Sequence, residues 1–275
     1  MKRVEVVVLN WNGWRDTLNC LASLQKQDYP NFGLIVVDNG STDGSPEHIL
    51  GHQPSVELLQ TGANLGFGGG CNVGIRAALG RDADYVWLIN SDSTVDTAAL
   101  SEMVITAEQN SQIGAVGSVL YEMDKVDQVQ LWGGGKVQFW SGRSSHQLQP
   151  AQLDFVSGAS LLLRREALET VGLFDDASFF MYWEDTDLGF RLRLAGWQLA
   201  VAEKSRVWHK QSASLGKGSQ LLDEYFTRSG VRFLRRNAPV PWFSVSFMVG
   251  RLLLKRLLMG KLDRVRAVLK GYAEA

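Results

Sequence analysis

Short apolar runs separated by polar turns dominate the N-terminal third of the chain. Four of these runs have the length of a β-strand and are bounded by Asn, Asp and Gly: Val4–Leu9, Leu34–Val37, Val56–Leu59 and Tyr85–Ile89. The segments between them place apolar residues at helical spacing, around residues 18–24 and 73–78. This alternation predicts an α/β fold in which βαβ units build a mostly parallel central sheet flanked by helices, with ligands at the carboxyl ends of the strands.

The pattern changes in the middle of the chain. Leu131–Pro150 is rich in Gly, Ser and Trp, which is typical of loops or a hairpin. Asp154–Arg164 contains two strand-like pieces around Ser157-Gly158. A further helix is predicted to begin near Asp185 and to stop at Gly196.

The C-terminal part of the chain is helical in pattern and strongly basic. After Tyr225 it is predicted to be helical to the end, with a break at Pro239 and Pro241. Residues 1–227 carry 17 basic and 27 acidic side chains, whereas residues 228–275 carry 11 basic and 2 acidic ones. Such asymmetry indicates a basic segment that meets an anionic partner.

We therefore divide the chain into a main domain, residues 1–236, and a basic amphipathic helical tail, residues 237–275. Apolar side chains alternate with Arg and Lys in the tail, which suits an anionic membrane surface. Packing on the main domain or across a homodimer explains the same pattern.

Cysteine usage and the N-terminus bear on the compartment. Cys20 and Cys71 are too few for a disulfide framework and are expected to be buried apolar side chains in a reducing compartment. Met1–Arg3 runs directly into the first predicted strand without a signal peptide. The uncharged run Asn237–Gly250 is shorter than the ~20 residues that a membrane span needs. We expect a cytoplasmic protein, peripheral on the inner face of the cell membrane, with no nucleic-acid partner.

Polar residues cluster where the predicted sheet should bind its ligand. Three strands end in polar segments: Asn10-Trp11-Asn12-Gly13, Asp38-Asn39-Gly40-Ser41-Thr42-Asp43 and Asn90-Ser91-Asp92. A carboxylate directly after a buried parallel strand, such as Asp38 or Asp92, is held where it can accept a base N–H or bind a cation. Either aspartate alone is equally well a turn former. Three such endings in one sheet favour a binding site.

The glycine-rich segment Asn64–Asn72 invites comparison with a dinucleotide-binding turn. Its spacing fails, because Gly66 and Gly68 are followed by Cys71 where the third glycine belongs. The segment also follows the third predicted strand rather than the first. Its glycines either let the backbone approach a ligand or serve close helix packing.

Three carboxylates stand together at the start of the helix predicted near Asp185. Glu184, Asp185 and Asp187 follow four aromatic residues within Phe179–Trp183, which indicates a partly apolar pocket. A carboxylate in such a pocket can act as a general base, a role worth roughly 10²–10⁴-fold in rate. Helix caps favoured by the dipole are the alternative, for Asp187 above all.

His209 is the remaining candidate for site chemistry. It follows the apolar pair Val207-Trp208 and precedes Lys210. A lone histidine is more often structural than a ligand. With Asp92 as a candidate metal ligand elsewhere, a shared metal site becomes an equally strong interpretation.

Taken in order, these segments resemble glycosyltransferase family 2, especially its bacterial rhamnosyltransferase-like branch. The likeness runs from about Val4 to Arg236, and although each motif alone is weak, the ordered set is specific. The matching stretches are Val7–Asn12, Val36–Asp43, Asn64–Asn72, Leu88–Asp92, Ser157-Gly158-Ala159, Val171–Asp175, Tyr182–Leu188 and Ala195-Gly196-Trp197.

The resemblance implies a GT-A fold, one domain with a nucleotide-binding half and an acceptor-binding half. It implies that Asp38 contacts the base of the donor and that Asp92 holds Mg²⁺ or Mn²⁺ under the diphosphate. His209 resembles a histidine that completes this metal or diphosphate site. The other donor-site residues that it implies are Asn10, Asn39, Asn64, Gly66, Phe67, Gly68, Asn90 and Ser91.

On the acceptor side, the resemblance implies that Asp185 is the catalytic base and that Trp183 and Glu184 contact the acceptor. One position departs from the family pattern. Asn90 occupies the first position of the DXD motif, which leaves one strong metal carboxylate instead of two.

The implied reaction is an inverting, metal-dependent transfer of a sugar from a UDP- or dTDP-sugar, with dTDP-rhamnose among the candidates, to a hydroxyl of a glycan or lipid-linked acceptor. It needs one base for the acceptor hydroxyl, while the metal stabilises the charge that develops on the diphosphate. A nucleotidyltransferase would carry a Gly-rich, Arg-containing loop after the first strand, which Asn10–Arg15 does not resemble. The alternative is an inactive scaffold that binds a nucleotide sugar. Asn90 is compatible with it, because it replaces the first carboxylate of the metal-binding motif.

Overall fold

The structure is a computed structural model that describes residues 1–210 and 219–275. Within these ranges the strands are β1 (Val4–Asn10), β2 (Phe32–Asp38), β3 (Glu57–Gln60), β4 (Tyr85–Asn90), β5 (Ser93–Val95), β6 (Ile113–Glu122), β7 (Lys125–Trp132), β8 (Gly134–Gln138), β9 (Arg143–His146), β10 (Phe155–Val156), β11 (Ser160–Arg164) and β12 (Gln198–His209). The helices are α1 (Trp14–Leu24), α2 (Ser45–His52), α3 (Gly66–Leu79), α4 (Ala99–Glu108), α5 (Arg165–Val171), α6 (Glu184–Leu194), α7 (Gln220–Asn237), α8 (Pro241–Leu258) and α9 (Leu262–Ala273).

A nine-stranded sheet forms the centre of the molecule, in the order β3-β2-β1-β4-β11-β6-β12-β5 with β7 beside β6. Strands β3, β2, β1, β4, β6 and β12 run in one direction, whereas β11, β5 and β7 run in the other. The mostly parallel sheet flanked by helices that the sequence predicts is confirmed. The four predicted strands are β1 to β4, and β3 begins at Glu57 instead of Val56.

Both faces of the sheet are covered by helices, which explains the continuous apolar run of β1. Val6 and Val8 point into a core shared with α1, α2 and α4, and Val7 points to the opposite side, into a core shared with α3, α5 and α6. Cys20 and Cys71 are buried in these two cores as free thiols, as expected from the sequence.

A second sheet of three strands, in the order β10-β8-β9, lies beside the main one. The segment predicted as loops or a hairpin forms the β8–β9 hairpin, closed by a short 3₁₀ turn at Phe139–Ser141. The two strand-like pieces predicted around Ser157-Gly158 are β10 and β11. The turn between them reaches the carboxyl edge of the main sheet, where the backbone N–H of Asn90 donates to the carbonyl of Ala159 at 3.1 Å.

Helices α7 to α9 form a layer at the C-terminal end. The predicted break at Pro239 and Pro241 is confirmed, since α7 ends at Asn237 and α8 begins at Pro241, and a second break follows at residues 259–261. Side chains from all three helices share a buried apolar cluster with Trp183: Val231, Phe233, Leu234, Val245, Met248, Val249, Leu252 and Val268. No helix in the described ranges combines the length and the apolarity needed to cross a bilayer.

Asp223 of α7 ties the three helices together. Its carboxylate is 2% exposed and accepts two hydrogen bonds each from Arg256 of α8 and Arg264 of α9, at 2.5–2.9 Å. Burial by itself would raise the pKa of Asp223, but the two guanidinium groups outweigh it and lower the pKa.

Asp223→Ala should lower the free energy of unfolding by roughly 3–5 kcal/mol, because it leaves buried cations without their partner. Since folding lowers this pKa, the stabilisation is present above the ordinary aspartate pKa and is lost as the pH falls through the lowered value. Denaturant titration of the full chain at neutral and acidic pH measures both effects. Asp263→Ala is the matched control, because among the described residues Asp263 pairs only with exposed Arg266. Equal stability of the two variants would contradict the bridge.

Candidate active site

The polar strand endings lie side by side at one edge of the sheet. Asn10 at the end of β1 pairs in register with Asp38 at the end of β2, and Asn90 ends the neighbouring β4. The side-chain amide of Asn10 donates to Oδ1 of Asp38 at 2.7 Å and to the hydroxyl of Ser41 at 3.1 Å, while its oxygen accepts from Thr17. The parallel register therefore builds a rigid polar floor.

Asp38 is only 2% exposed within this floor. One oxygen accepts from Asn10 and the other from the backbone N–H of Ser41 at 3.1 Å. Each carboxylate oxygen has two lone pairs, so one further donor can still bind at either oxygen. A ligand N–H that reaches the floor would find this acceptor already oriented.

Asn39 holds the glycine-rich loop against the sheet. Its amide donates to Asn64 at 3.2 Å and to the carbonyl of Gly66 at 2.9 Å, and its oxygen accepts from the backbone of Leu65 at 3.0 Å. These bonds occupy both amide hydrogens of Asn39. Asn39 therefore contributes to a ligand site by holding this loop in position.

The glycines of this segment serve close packing. Gly66 has φ +76°, and a Cβ there would lie 2.0 Å from the carbonyl oxygen of Phe180. A Cβ at Gly70 would lie 2.5 Å from Leu9. At Gly74, one turn further along α3, a Cβ would lie 2.3 Å from Val7. Helix α3 can approach β1 this closely only because it has no side chains at these positions.

A pocket at this sheet edge, named here the sheet-edge pocket, collects most of the predicted donor-site residues. Its lining is Leu9, Trp11, Asn39, Asn64, Gly66, Phe67, Asn90, Ser91, Asp92 and Met181. Asn10 and Asp38 are buried in the floor beside it, whereas Gly68 is buried against Phe174 and Glu184. Trp11 and Met181 were not among the predicted site residues. Trp11 belongs to a polar motif, and only its place in the pocket shows that its ring is available to a ligand.

His209 meets the end of β4 as the metal-site hypothesis requires. Its Nε2 lies 3.3 Å from Oδ1 of Asp92 and 3.2 Å from the amide nitrogen of Asn90. Its Nδ1 lies 2.8 Å from Oε1 of Gln130, whose amide nitrogen faces Glu122 and the His209 carbonyl. Gln130 is therefore placed to accept a hydrogen bond from Nδ1, and this contact turns Nε2 towards Asp92 and Asn90.

The pair Asp92 and His209 has the donor chemistry of a divalent metal site. Two ligands with bonds of ~2.1 Å at a right angle have their atoms ~3 Å apart, close to the spacing of this pair. Across residues 1–210 and 219–275 no group of three His, Cys, Asp or Glu side chains is arranged to hold a metal. An ion bound here would take its other ligands from water and phosphates, as Mg²⁺ commonly does.

A second pocket, the α6 pocket, has a volume of about 360 Å³ and lies at the start of α6. Its lining is Ser144, His146, Phe155, Tyr182, Trp183, Glu184, Asp185, Thr186, Leu222 and Phe226. The volume is within the range of small-molecule sites. Trp183 is 3% exposed and packs between Phe226 and Phe233, so it forms a wall of the pocket rather than an open platform.

Asp185 is surrounded by hydrogen-bond donors. One oxygen accepts from the backbone N–H of Gly158 at 3.1 Å, and the other accepts from the backbone and hydroxyl of Thr186 at 2.6 and 3.2 Å. Burial raises the pKa of Asp185, while these donors and the charge of His146 limit the rise. The carboxylate thus stays oriented and can still accept a proton.

Glu184 has the opposite environment. It is 6% exposed, and its Oε2 has no hydrogen-bond partner among the described residues. Burial and then the neighbouring Asp185 raise the pKa of Glu184 well above its ordinary value. Of the two carboxyl groups, Asp185 is therefore the one whose ionised form the surroundings favour.

Asp187 takes part in neither pocket. It is 4% exposed and accepts from Nε of Arg191 at 2.7 Å. Arg191 in turn donates to the carbonyls of Val171 and Leu173. The contacts of Asp187 are therefore structural, through the ion pair with Arg191 and not through the helix cap that the sequence suggests.

His146 was not singled out in the sequence. It lies on β9 and lines the α6 pocket with Asp185. Desolvation by the surrounding protein lowers the pKa of His146, and the carboxylate of Asp185 opposes this effect. An imidazole at the pocket wall can exchange hydrogen bonds with a hydroxyl group. No motif marks His146, and only the folding of the β8–β9 hairpin brings it to Asp185.

The turn Ser157–Ala159 joins the two pockets. The carbonyl of Ala159 accepts a hydrogen bond from the backbone of Asn90, and the backbone N–H of Gly158 donates to the carboxylate of Asp185. A Cβ on Gly158 would lie 2.9 Å from the ring of Phe67, which lines the sheet-edge pocket. The two pockets thus meet at this turn.

The entry to α6 is a strained segment. Tyr182 and Trp183 have φ +66° and +70° in succession, a conformation that costs on the order of 1–3 kcal/mol at each residue. Neighbouring elements hold this segment in place. The hydroxyl of Ser229 on α7 donates to the carbonyl of Met181 at 2.8 Å, and the backbone N–H of Phe67 donates to the carbonyl of Phe180 at 2.9 Å. This strain fixes the direction from which Glu184 and Asp185 enter the pocket.

Comparison with known proteins identifies the family to which this sequence is similar. Residues 5–172 match the model of glycosyl transferase family 2. An N-acetylglucosaminyl-diphospho-decaprenol L-rhamnosyltransferase of Mycobacterium tuberculosis (strain ATCC 25618 / H37Rv) is 33% identical over 224 residues, which cover 72% of each chain.

Two solved structures show the same fold at low sequence identity. Mannosyltransferase PcManGT from Pyrobaculum calidifontis, in complex with GDP-Man and Mn²⁺, has a TM-score of 0.60 at 18% identity, covering 99% of this chain and 76% of that one. GalNAc-T7 with UDP, GalNAc and Mn²⁺ has a TM-score of 0.71 at 15% identity, covering 96% of this chain and 55% of that one. The GT-A fold expected from the sequence is thereby confirmed.

Proposed function

The chain belongs to glycosyltransferase family 2, and on that premise we propose that it is an inverting, metal-dependent enzyme that moves rhamnose from dTDP-rhamnose to a hydroxyl of a lipid-linked glycan. Transfer of a sugar from a nucleotide sugar follows from the family. The donor sugar, the metal dependence and the acceptor are the proposal. The observation that supports the proposal is the turn Ser157–Ala159, because this turn holds the carboxylate of Asp185 beside the pocket that contains Asp92.

Asp185 is the proposed general base. Its carboxylate would accept the proton of the acceptor hydroxyl as that oxygen attacks the sugar, and the nucleoside diphosphate would leave from the opposite face. The backbone of Gly158 and the side chain of Thr186 keep it oriented. A single base is sufficient for an inverting transfer, and the structural role of Asp187 leaves Asp185 as the oriented carboxylate of the motif.

Asp92 and His209 are the proposed holders of Mg²⁺ or Mn²⁺. When bound, the ion would neutralise the negative charge that develops on the leaving diphosphate. Gln130 supports this arrangement by orienting the imidazole so that Nε2 lies beside Asp92. Asn90, at the first position of the motif, is an amide that orients His209.

Asp38 and Trp11 are the proposed contacts of the nucleoside. Asp38 has acceptor capacity left for a base N–H, and the ring of Trp11 can stack on a base in the sheet-edge pocket. Asn64, Gly66, Phe67 and Ser91 would shape the rest of the donor site. We further propose residues 1–236 as the catalytic domain and residues 237–275 as its appended tail.

The acceptor proposal rests on the α6 pocket and on similarity. Trp183, Glu184 and His146 line the pocket together with Asp185, so a sugar bound there would have a hydroxyl near the base. The mycobacterial relative is named for rhamnose transfer onto N-acetylglucosamine linked through a diphosphate to a polyprenol. An acceptor of that class would place this enzyme at the inner face of the membrane.

A donor screen tests the proposal. With Mn²⁺ present, dTDP-rhamnose should raise the melting temperature more than UDP- or GDP-sugars do, since a ligand at 100 times its Kd adds about 2.7 kcal/mol of stability. Release of dTDP should then require an N-acetylglucosaminyl-diphospho-lipid acceptor. If UDP is released from a UDP-sugar instead, the transferase assignment stands and the donor is wrong. If no nucleoside diphosphate is released from any pair, the proposed function is wrong.

A further inference from the structure

The described residues leave one apolar face of helix α8 uncovered. Phe243, Phe247, Leu254 and Leu258 are 37%, 49%, 58% and 80% exposed and recur at helical spacing along the whole helix. The opposite face of α8 is buried against α7 and α9. The tail therefore has two apolar faces, of which the fold uses only one.

The β8–β9 hairpin extends this surface. Trp140, 70% exposed at the hairpin tip, packs edge-to-face on Phe243, with ring centroids 5.9 Å apart. A Cβ on Gly142 would lie 2.6 Å from Cβ of Met248, so the hairpin tip is seated directly on α8. The four exposed residues of α8 together with Trp140 form what we call the apolar stripe.

Positive charges flank the apolar stripe. Arg251, Lys255 and Arg143 take part in no ion pair within the described residues, and Nε of Arg251 is buried with no hydrogen-bond acceptor there. Burial, followed by the charges of Arg143 and Arg256, lowers the pKa of Arg251. Arg143 follows Gly142, which is seated on Met248, and Arg251 lies one helical turn after Met248, so both guanidinium groups belong to the same side of the tail. A phosphate oxygen would satisfy both guanidinium groups.

We propose that the apolar stripe is a docking surface for an anionic lipid bilayer, with Arg143 and Arg251 bound to lipid phosphates. An apolar face with Trp and Phe, flanked by Arg and Lys, is the chemistry of a helix that lies in the membrane interface. A second copy of the chain fits this surface less well. It would bring the same uncompensated positive charges against the first copy, whereas an anionic headgroup layer neutralises them.

The docking surface has a consequence that rests on the proposed function. Strand β9 runs from Arg143, beside the apolar stripe, to His146, in the α6 pocket. Three residues of extended chain span about 10 Å. A bilayer on the apolar stripe therefore brings the headgroup layer to within about 10 Å of the wall of the α6 pocket at His146. A lipid-linked acceptor could then reach the base without leaving the membrane.

Cosedimentation of the full chain with vesicles tests the surface, using phosphatidylglycerol mixed with phosphatidylcholine, and phosphatidylcholine alone, at low salt. The wild type should bind only the anionic vesicles. The double variant Phe247→Ser/Leu254→Ser should lose at least ~10-fold in partitioning, and Arg143→Gln/Arg251→Gln should lose about 30-fold. The matched controls are Ile105→Ser, an exposed apolar residue of α4, and Lys204→Gln/Arg206→Gln on β12, which should bind as the wild type does.

Two further readouts separate the alternatives. No binding of the wild type to anionic vesicles, or equal loss in the control variants, overturns the proposal. So does light scattering that shows a dimer which Phe247→Ser/Leu254→Ser dissociates, since the apolar stripe would then be an interface between copies. Turnover with a water-soluble acceptor should be unchanged in the stripe variants. Vesicle binding by a protein that transfers no sugar would leave the docking surface in place and overturn the proposed function alone.

Discussion

Asp92→Ala is expected to leave a protein whose nucleoside diphosphate binding no longer responds to Mn²⁺. Asp92 is the single carboxylate of the Asn90-Ser91-Asp92 segment, and Nε2 of His209 faces it at 3.3 Å. Without this carboxylate, one neutral imidazole remains to hold a divalent ion next to the diphosphate. The loss of affinity in the presence of Mn²⁺ should exceed the ~10–100-fold that removing an outer-shell partner of a metal ligand costs.

Calorimetric titration with dTDP, with and without Mn²⁺, measures this effect. The matched control is Asp124→Ala, which removes the same charge from the exposed turn between β6 and β7. Gln130→Ala probes the support of His209, because Gln130 accepts from its Nδ1. It should weaken the Mn²⁺ response less than Asp92→Ala does. An unchanged Mn²⁺ dependence in Asp92→Ala would place the metal elsewhere in the molecule.

The sheet was predictable where burial on both faces produces continuous apolar runs, as in β1, β2 and β4. Strands β6 and β12 escaped prediction for physical reasons. β6 contains Gly114 and Gly117 because Trp197 and the backbone of Gly133 pack against them. β12 carries exposed Glu203, Lys204 and Arg206 in its middle. Neither strand therefore shows an uninterrupted apolar run.

The donor side of the site was predictable because parallel strands end at the same edge. Asn10, Asp38 and Asn90 meet there as their register requires. Side chains that the tertiary fold brings in from distant elements could not be found this way. His146 arrives on a hairpin whose sequence predicts loops or a hairpin but not the side chain's place in the site, and Gln130 arrives on β7, which pairs with β6.

The choice between Glu184 and Asp185 also lay beyond the sequence, because both are acidic and adjacent. It depends on which carboxylate receives hydrogen bonds, and these come from the turn at Gly158 and from Thr186. Without the folded turn, nothing in the spacing separates the two residues.

Asp185→Asn should keep donor and metal binding while turnover falls by at least ~10², the loss expected when a general base is removed. Asparagine preserves the size of the side chain and one acceptor oxygen, but its amide does not take up the proton of an attacking hydroxyl. Single-turnover rates and donor titrations on the same protein separate chemistry from binding. A loss of kcat with unchanged donor affinity assigns the effect to the transition state.

The pH dependence adds an independent check. Burial raises the pKa of Asp185, so kcat/KM of the wild type should rise with pH through an apparent value above that of an ordinary aspartate. A carboxyl whose pKa is raised by folding stabilises the protein below its unfolded pKa, and this contribution is lost as the pH rises through the folded pKa. The charge effect therefore favours Asp185→Asn at neutral pH, whereas its amide nitrogen leaves the donor at Gly158 or Thr186 without an acceptor, so a net loss of no more than about 1–3 kcal/mol is expected. A marked loss of stability would indicate a structural role.

Glu184→Gln is the matched variant, one residue earlier with the same loss of charge. Burial and Asp185 together hold the pKa of Glu184 well above its ordinary value, so its protonated form is the one that the site favours. Glutamine resembles that form, and turnover should stay within a few-fold of the wild type, since no base is removed. If Glu184→Gln is inactive while Asp185→Asn turns over normally, the base is Glu184. If both variants lose donor binding, the strained entry to α6 shapes the donor pocket, and the base lies elsewhere in the site.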